Sequence, residues 1–175
     1  MAGRISDEAG RLAAEGLKKA GINFVSILPD IQHTSIQEAL QADPKQFMIH
    51  HMSEEGLGYA TCCGAWLGGK KPVLICTTAG LFNMCWAISA FKNFDFPLVM
   101  LIPHRGILGE TIWFMRKYIH RIEPFLQLFE VPFEVVNRNE EIIPTIIKAS
   151  ETSFNLYVVS AILFSGGTLS GGTII

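Results

Sequence analysis

Charge is scarce in this sequence. Only 17% of its 175 residues are Asp, Glu, Lys or Arg, against roughly a quarter in an ordinary soluble domain. The 14 basic and 16 acidic residues include no Lys/Arg run, so the electrostatic footprint of a nucleic-acid binder is missing. Cysteine is also sparse. Cys62, Cys63, Cys76 and Cys85 lie in apolar segments without a CxxC pair. Adjacent cysteines are poorly placed for a bridge or a zinc knuckle, so all four are read as buried reduced thiols. Neither GxxxxGK[ST] nor a full GxGxxG occurs: Gly56-Leu57-Gly58 starts the second, but its third glycine is missing. There is no internal repeat. The first residues, with Arg4, Asp7, Glu8 and Arg11, lack the apolar core of a secretory signal, and a cytoplasmic protein is expected.

Apolar residues are abundant instead. They make up 49% of the chain, and the mean hydropathy is positive. A chain of this length forms one domain with a substantial core; with so little charge, part of its surface is expected to be covered by another subunit. The segment from Phe154 to Ile175 carries no charge and approaches the length of a membrane span. Its second half, however, is rich in Gly, Ser and Thr, and Leu156 to Phe164 has the length of a buried strand. Residues 1–165 are therefore read as the domain and 166–175 as a tail.

Periodicity alternates between helix and strand throughout. Ile5, Ala9, Leu12, Ala13, Gly16 and Leu17 recur at helical spacing, and Gly21 closes that helix before a strand at Phe24 to Leu28. A helix near Ser35 to Ala42 and a strand at Gln46 to His51 follow. Ser53 is then expected to cap a helix reaching Leu67. The apolar runs Pro72 to Thr77 and Leu98 to Pro103 read as central strands around a helix from Leu81 to Asn93. Past Trp113 come a helix near Ile119 to Phe129, a strand at Phe133 to Val136, a helix at Glu140 to Ser150 and the strand starting at Leu156. Six strands with intervening helices predict an α/β, doubly wound, mainly parallel sheet covered on both faces.

Ligands of such sheets bind at the carboxyl ends of the strands. The loops there carry Pro29, Asp30 and His33; His51, Ser53, Glu54 and Glu55; Thr78, Gly80 and Asn83; and His104 and Arg105. Each has an ordinary reading beside a functional one. Glu54 and Glu55 can simply complement the positive end of a helix. Asp30 can form an Asx turn, Gly80 and Asn83 can serve as turn or cap residues, and Arg105 can pair with Glu110. His33, His50 and His51, with Cys62 and Cys63, are read as hydrogen-bonded scaffolding, and no metal site is expected.

Glu55-Gly56, Gly58, the small residues up to Gly64, Gly69-Lys70-Lys71-Pro72 and Thr78-Ala79-Gly80-Leu81-Phe82-Asn83 resemble, in that order, the thiamine-diphosphate-dependent 2-oxo acid decarboxylases. The resemblance is strongest to the sulfopyruvate decarboxylase alpha subunit and the matching domain of phosphonopyruvate decarboxylase. Ala79 and Phe82 depart from the last motif. The resemblance implies a thiamine-diphosphate fold in which this chain binds the pyrimidine side of the cofactor. Glu55 would be the carboxyl that activates the aminopyrimidine, and Asp30 a proton relay. Pro29, Thr78, Gly80 and Asn83 would contact the cofactor, while His33, His104 and Arg105 would hold a 2-oxo acid. The Gly-Asp-Gly motif that takes the diphosphate and Mg2+ is missing, which implies a beta subunit that carries it and a heterotetramer or larger assembly. An acetolactate-synthase-type carboligase subunit and a non-catalytic scaffold of the same fold remain the alternatives.

Overall fold

The computed structural model describes residues 4–107, 110, 113 and 122–169. Six strands form one parallel sheet: β1 (Phe24–Ile27), β2 (Met48–His51), β3 (Pro72–Ile75), β4 (Leu98–His104), β5 (Phe133–Val136) and β6 (Val159–Ser165), in the order β2-β1-β3-β4-β6-β5. The described helices are α1 (Asp7–Lys19), α2 (Thr34–Gln41), α3 (Glu55–Leu67), α4 (Gly80–Asn83), α5 (Cys85–Lys92), α6 (Ile122–Leu128), α7 (Asn139–Leu156) and α8 (Gly166–Leu169). The expected doubly wound sheet is present.

Helices cover both faces because the strands are apolar on both. On one face Val25, Val73 and Ile75 pack with Ala13 and Leu17 of α1, Ile36 and Leu40 of α2 and Ile142 and Ile146 of α7. On the other, Leu74, Met100 and Ile102 pack with Tyr59 and Cys62 of α3, Ala87 and Ile88 of α5 and Phe125 of α6. Continuous burial along β1, β3, β4 and β6 is what a parallel sheet requires. The edge strand β2 is only partly buried. Helix α1 is well specified locally: the Ser6 hydroxyl accepts from Ala9 N, Asp7 and Glu8 sit in its first turn, and Lys18 and Lys19 sit in its last.

Three boundaries differ from the sequence reading. The cap of α3 is Glu54, whose carboxylate accepts from Gly56 N at 2.8 Å and Leu57 N at 2.9 Å, while Ser53 lies one residue outside and exposed. The helix expected over 81–93 is two segments, because Met84 leaves helical geometry at φ −86° and ψ 1°. Its buried residues Leu81, Met84, Ala87 and Ile88 keep helical spacing across the break, so periodicity gives no sign of it. Helix α7 extends to Leu156, and β6 starts only at Val159. Ser150, Ser153 and Phe154 continue its buried stripe, and Tyr157 stops it in the left-handed region at φ 58°. Leu156 and Tyr157, which extended the apparent strand run, are exposed.

The uncharged C-terminal stretch thus supplies part of α7, then β6, a buried strand paired to both β4 and β5. No helix among the described residues is long and apolar enough to cross a membrane. Helix α8 docks at Leu169, whose carbonyl accepts from Ser6 N at 2.9 Å. Residues 170–175 of the expected tail and 119–121 of the expected helix lie outside the described residues.

Candidate functional site

Strand order reverses between β1 and β3: the chain leaves β1 through α2 to β2 on one side, while β3 pairs on the other. At such a reversal the connections diverge and open a crevice beyond the strand ends. Glu55 lies here, as the first residue of α3, and is only 4% exposed. Asn83 Nδ2 donates to Glu55 Oε2 at 3.4 Å. Gly80 presses on the same carboxyl: a Cβ there would stand 1.9 Å from Glu55 Oε1 and 2.2 Å from Cδ. No side chain larger than hydrogen fits at 80 without moving the carboxylate.

Glycine at 58 serves the same region from below. A Cβ on it would lie 1.9 Å from Met52 Sδ and 3.1 Å from Leu74 Cδ1. The start of α3 can therefore lie close on β1 and β3, which fixes the height of Glu55 above the sheet. Glu54, by contrast, spends both carboxylate oxygens on the helix cap.

The loop after β1 supplies Asp30, half-buried, with Oδ1 accepting from Gln32 N at 2.8 Å in an Asx turn. Cys76, directly after β3, feels both carboxylates: burial pushes its thiol well above the ordinary range, and the charges of Glu55 and Asp30 push it further. Asp30 sits one residue after Pro29 in the loop that carries Gln32 and His33. Pro29 is exposed beside it, and the Thr78 hydroxyl donates to the Pro103 carbonyl, which ties the β3 loop to β4.

His104 and Arg105, adjacent in sequence, reach different partners. His104 Nε2 stands 3.3 Å from Glu123 Oε1 in α6, and burial lowers its pKa against the pull of that carboxylate. Arg105 is 4% exposed and makes a forked pair with Glu110, Nε to Oε2 at 2.8 Å and Nη2 to Oε1 at 3.1 Å. Its Nη1 donates to Gln32 Oε1 at 3.2 Å, and Gln32 Nε2 donates in turn to the Phe164 carbonyl at 2.8 Å. Gln32, which sequence reasoning passed over, therefore links the ends of β1, β4 and β6. Its place between Asp30 and His33 was the only signal.

His33 is fully buried, edge-on to Phe164 at 5.5 Å, and neither ring nitrogen has a hydrogen-bond partner among the described residues. Burial lowers its pKa from 6.5 to about 4, with Asp30 opposing and Arg105 adding. The folded chain therefore binds fewer protons than the unfolded chain between those values. This contribution to stability is complete above pH 6.5 and is lost as pH falls toward 4, in total about 3 kcal/mol. Denaturant unfolding at pH 7 and pH 5 is expected to show about 2 kcal/mol of that fall, and His33→Gln is expected to reduce the difference between the two pH values.

His50, Cys62 and Cys63 behave as scaffold, and His51 is exposed at the end of β2. His50 Nδ1 meets Ser26 Oγ at 3.3 Å, and the His50 ring stacks on Phe24. Cys62 and Cys63 are buried with raised pKa values, that of Cys63 up to about 12; Cys85 is only half-buried. Among the described residues no three His, Cys, Asp or Glu side chains group as a metal site.

No family model matches the chain. Among curated proteins, it is 32% identical over 160 residues to the sulfopyruvate decarboxylase subunit alpha of Methanococcus maripaludis, covering 86% of this chain and 93% of that one. It is 30% identical over 149 residues to the subunit of the same name from Methanocaldococcus jannaschii, covering 85% and 88%. Among solved structures, a 2-oxoglutarate:ferredoxin oxidoreductase from Magnetococcus marinus, solved with 2-oxoglutarate, coenzyme A and succinyl-CoA bound, superimposes at a TM-score of 0.71 with 14% identity. That match spans 93% of this chain and 29% of the other, and shows the shared fold.

Proposed function

The chain belongs to the family of sulfopyruvate decarboxylase alpha subunits, and from that premise we propose that it is the pyrimidine-side subunit of a heteromeric, thiamine-diphosphate-dependent decarboxylase that converts sulfopyruvate, or a closely similar 2-oxo acid, to an aldehyde and carbon dioxide. One observation carries the reading. Glu55 is buried at the reversal of strand order, with Gly80 stripped back to admit its carboxyl and Asn83 orienting it.

Those residues fit the pyrimidine end of the cofactor. Thiamine diphosphate, when bound, supplies the electron sink that lets a 2-oxo acid lose carbon dioxide. The chain's own part is positional and protonic. Glu55, held rigidly at a strand-to-helix junction, would hydrogen-bond a ring nitrogen of the aminopyrimidine. Asn83 fixes the plane of that carboxyl, and the bare backbone of Gly80 permits close approach. Pro29 lines the rim, and Thr78 steadies the loop that carries Gly80. Asp30, next along the rim, relays protons to the reacting substrate. His33, His104 and Arg105 set the substrate end.

A beta subunit completes the site. With no Gly-Asp-Gly motif here, the diphosphate and its Mg2+ fall to that partner, which would cover the apolar rim where Leu57 and Trp86 are 54% and 56% exposed. Buried free thiols suit a reducing, cytoplasmic setting. The test is to co-express the chain with the beta subunit and follow carbon dioxide release from a panel of 2-oxo acids with thiamine diphosphate and Mg2+. Release from sulfopyruvate that requires both chains and the cofactor is expected. Condensed products instead of an aldehyde would make the complex a carboligase, and failure of the complex to bind the cofactor would leave the chain a scaffold.

A further inference from the structure

Among the described residues, Arg105 Nε and Nη2 and Gly106 N, which lies 3.3 Å from Oε2, all donate to the Glu110 carboxylate. The Arg105 and Glu110 side chains are 5% and 7% exposed, so this is an enclosed anion seat at the carboxyl end of β4. Gln32 fixes the guanidinium from behind through Nη1, and is itself anchored to the Phe164 carbonyl. The guanidinium thus has a hold besides Glu110.

We infer that this seat takes the sulfonate of the substrate, and that Glu110 fills it in the substrate-free chain as a built-in competing anion. The inference rests on the decarboxylase reading above. The seat suits a sulfonate, whose oxygens can each take a separate N–H, whereas Glu110 Oε2 accepts from both Arg105 Nε and Gly106 N. The pocket is also too enclosed to leave a guanidinium without a counter-ion, and an anion must be present whether or not substrate is. Two anions on one guanidinium repel, so substrate and the Glu110 side chain exclude each other. Gln32 connects the seat to the crevice: its backbone N donates to Asp30 Oδ1 while its side chain accepts from Arg105, and Thr78, in the loop that carries Gly80, donates to the Pro103 carbonyl two residues before Arg105.

The experiment uses the complete complex and two readouts: the Kd of sulfoacetate measured calorimetrically, with malonate as the comparison anion, and the KM for sulfopyruvate. Glu110→Gln removes the competing charge at nearly constant volume. It is expected to tighten sulfoacetate and lower KM by about fivefold or more, and to tighten malonate less. Glu110→Asp, which keeps the charge on a shorter arm, is expected to shift both in the same direction by about twofold, and decides the matter if Glu110→Gln does not fold. Arg105→Lys should weaken sulfoacetate by tenfold or more, because the fork is lost. Folded Glu110 variants that bind sulfoacetate no more tightly than wild type would overturn the inference while the wild-type complex still turns over sulfopyruvate. A wild-type complex inactive on sulfopyruvate would instead overturn the functional reading beneath it.

Discussion

Glu55→Gln in the assembled complex is expected to reduce carbon dioxide release by about 10²–10⁴-fold, the usual worth of a positioned acid–base group. Glutamine fills the same space beneath Asn83 and Gly80, so thermal unfolding should be nearly unchanged. Its amide can still hydrogen-bond but cannot exchange a proton with a ring nitrogen. The contrast with Glu54 makes the result specific. The Glu54 carboxylate caps α3 through Gly56 N and Leu57 N, so Glu54→Ala is expected to cost about 1 kcal/mol of stability and to leave turnover within a few-fold of wild type. Two adjacent glutamates should thus separate cleanly, one on rate and one on melting. Equal, small losses of rate in both variants would place the chemistry elsewhere.

The fold was largely legible because a parallel sheet buried on both faces produces continuous apolar runs, and all six expected strands occur. Two of its three boundary errors share one cause. Wherever an apolar pattern continues through a change of backbone geometry, sequence cannot show the change: Met84 is buried in register with its neighbours yet breaks a helix, and Leu156 and Tyr157 look like strand residues yet close α7 in the open.

The site was legible by position but not by partnership. Reading the loops at strand ends singled out Asp30, Glu55, Gly80, Asn83, His104 and Arg105, and the structure brings Glu55, Gly80 and Asn83 into direct contact. What a linear reading lacks is which side chain already holds which. Arg105 takes up both its expected loop position and its ordinary alternative, the pair with Glu110. The Asp30 loop forms the plain Asx turn while remaining beside Cys76 and His33. A structural bond does not by itself remove a residue from the candidate site, because a buried charge must be held by something whether or not it also meets a ligand.

Gly80→Ala should reproduce a large part of the Glu55→Gln loss without touching an ionisable group. The added methyl would begin 1.9 Å from Glu55 Oε1, far inside contact distance, so the carboxylate must swing away from its orientation under Asn83. Displacement by about 1 Å at a reacting group can cost about 10² in rate, and a loss of about that size is expected. Alanine is otherwise favourable at this position, being a better helix former than glycine in the first turn of α4, so unfolding should not be the cause. The decisive comparison is the double variant. If Gly80 acts through Glu55, then Gly80→Ala on top of Glu55→Gln should add far less than its single effect, since the group it misplaces has already lost its function. Full additivity would mean that Gly80 contributes through close backbone approach to the ligand itself. Cofactor affinity separates these routes: displacing Glu55 should depress kcat more than binding, whereas blocking the approach should weaken thiamine diphosphate directly.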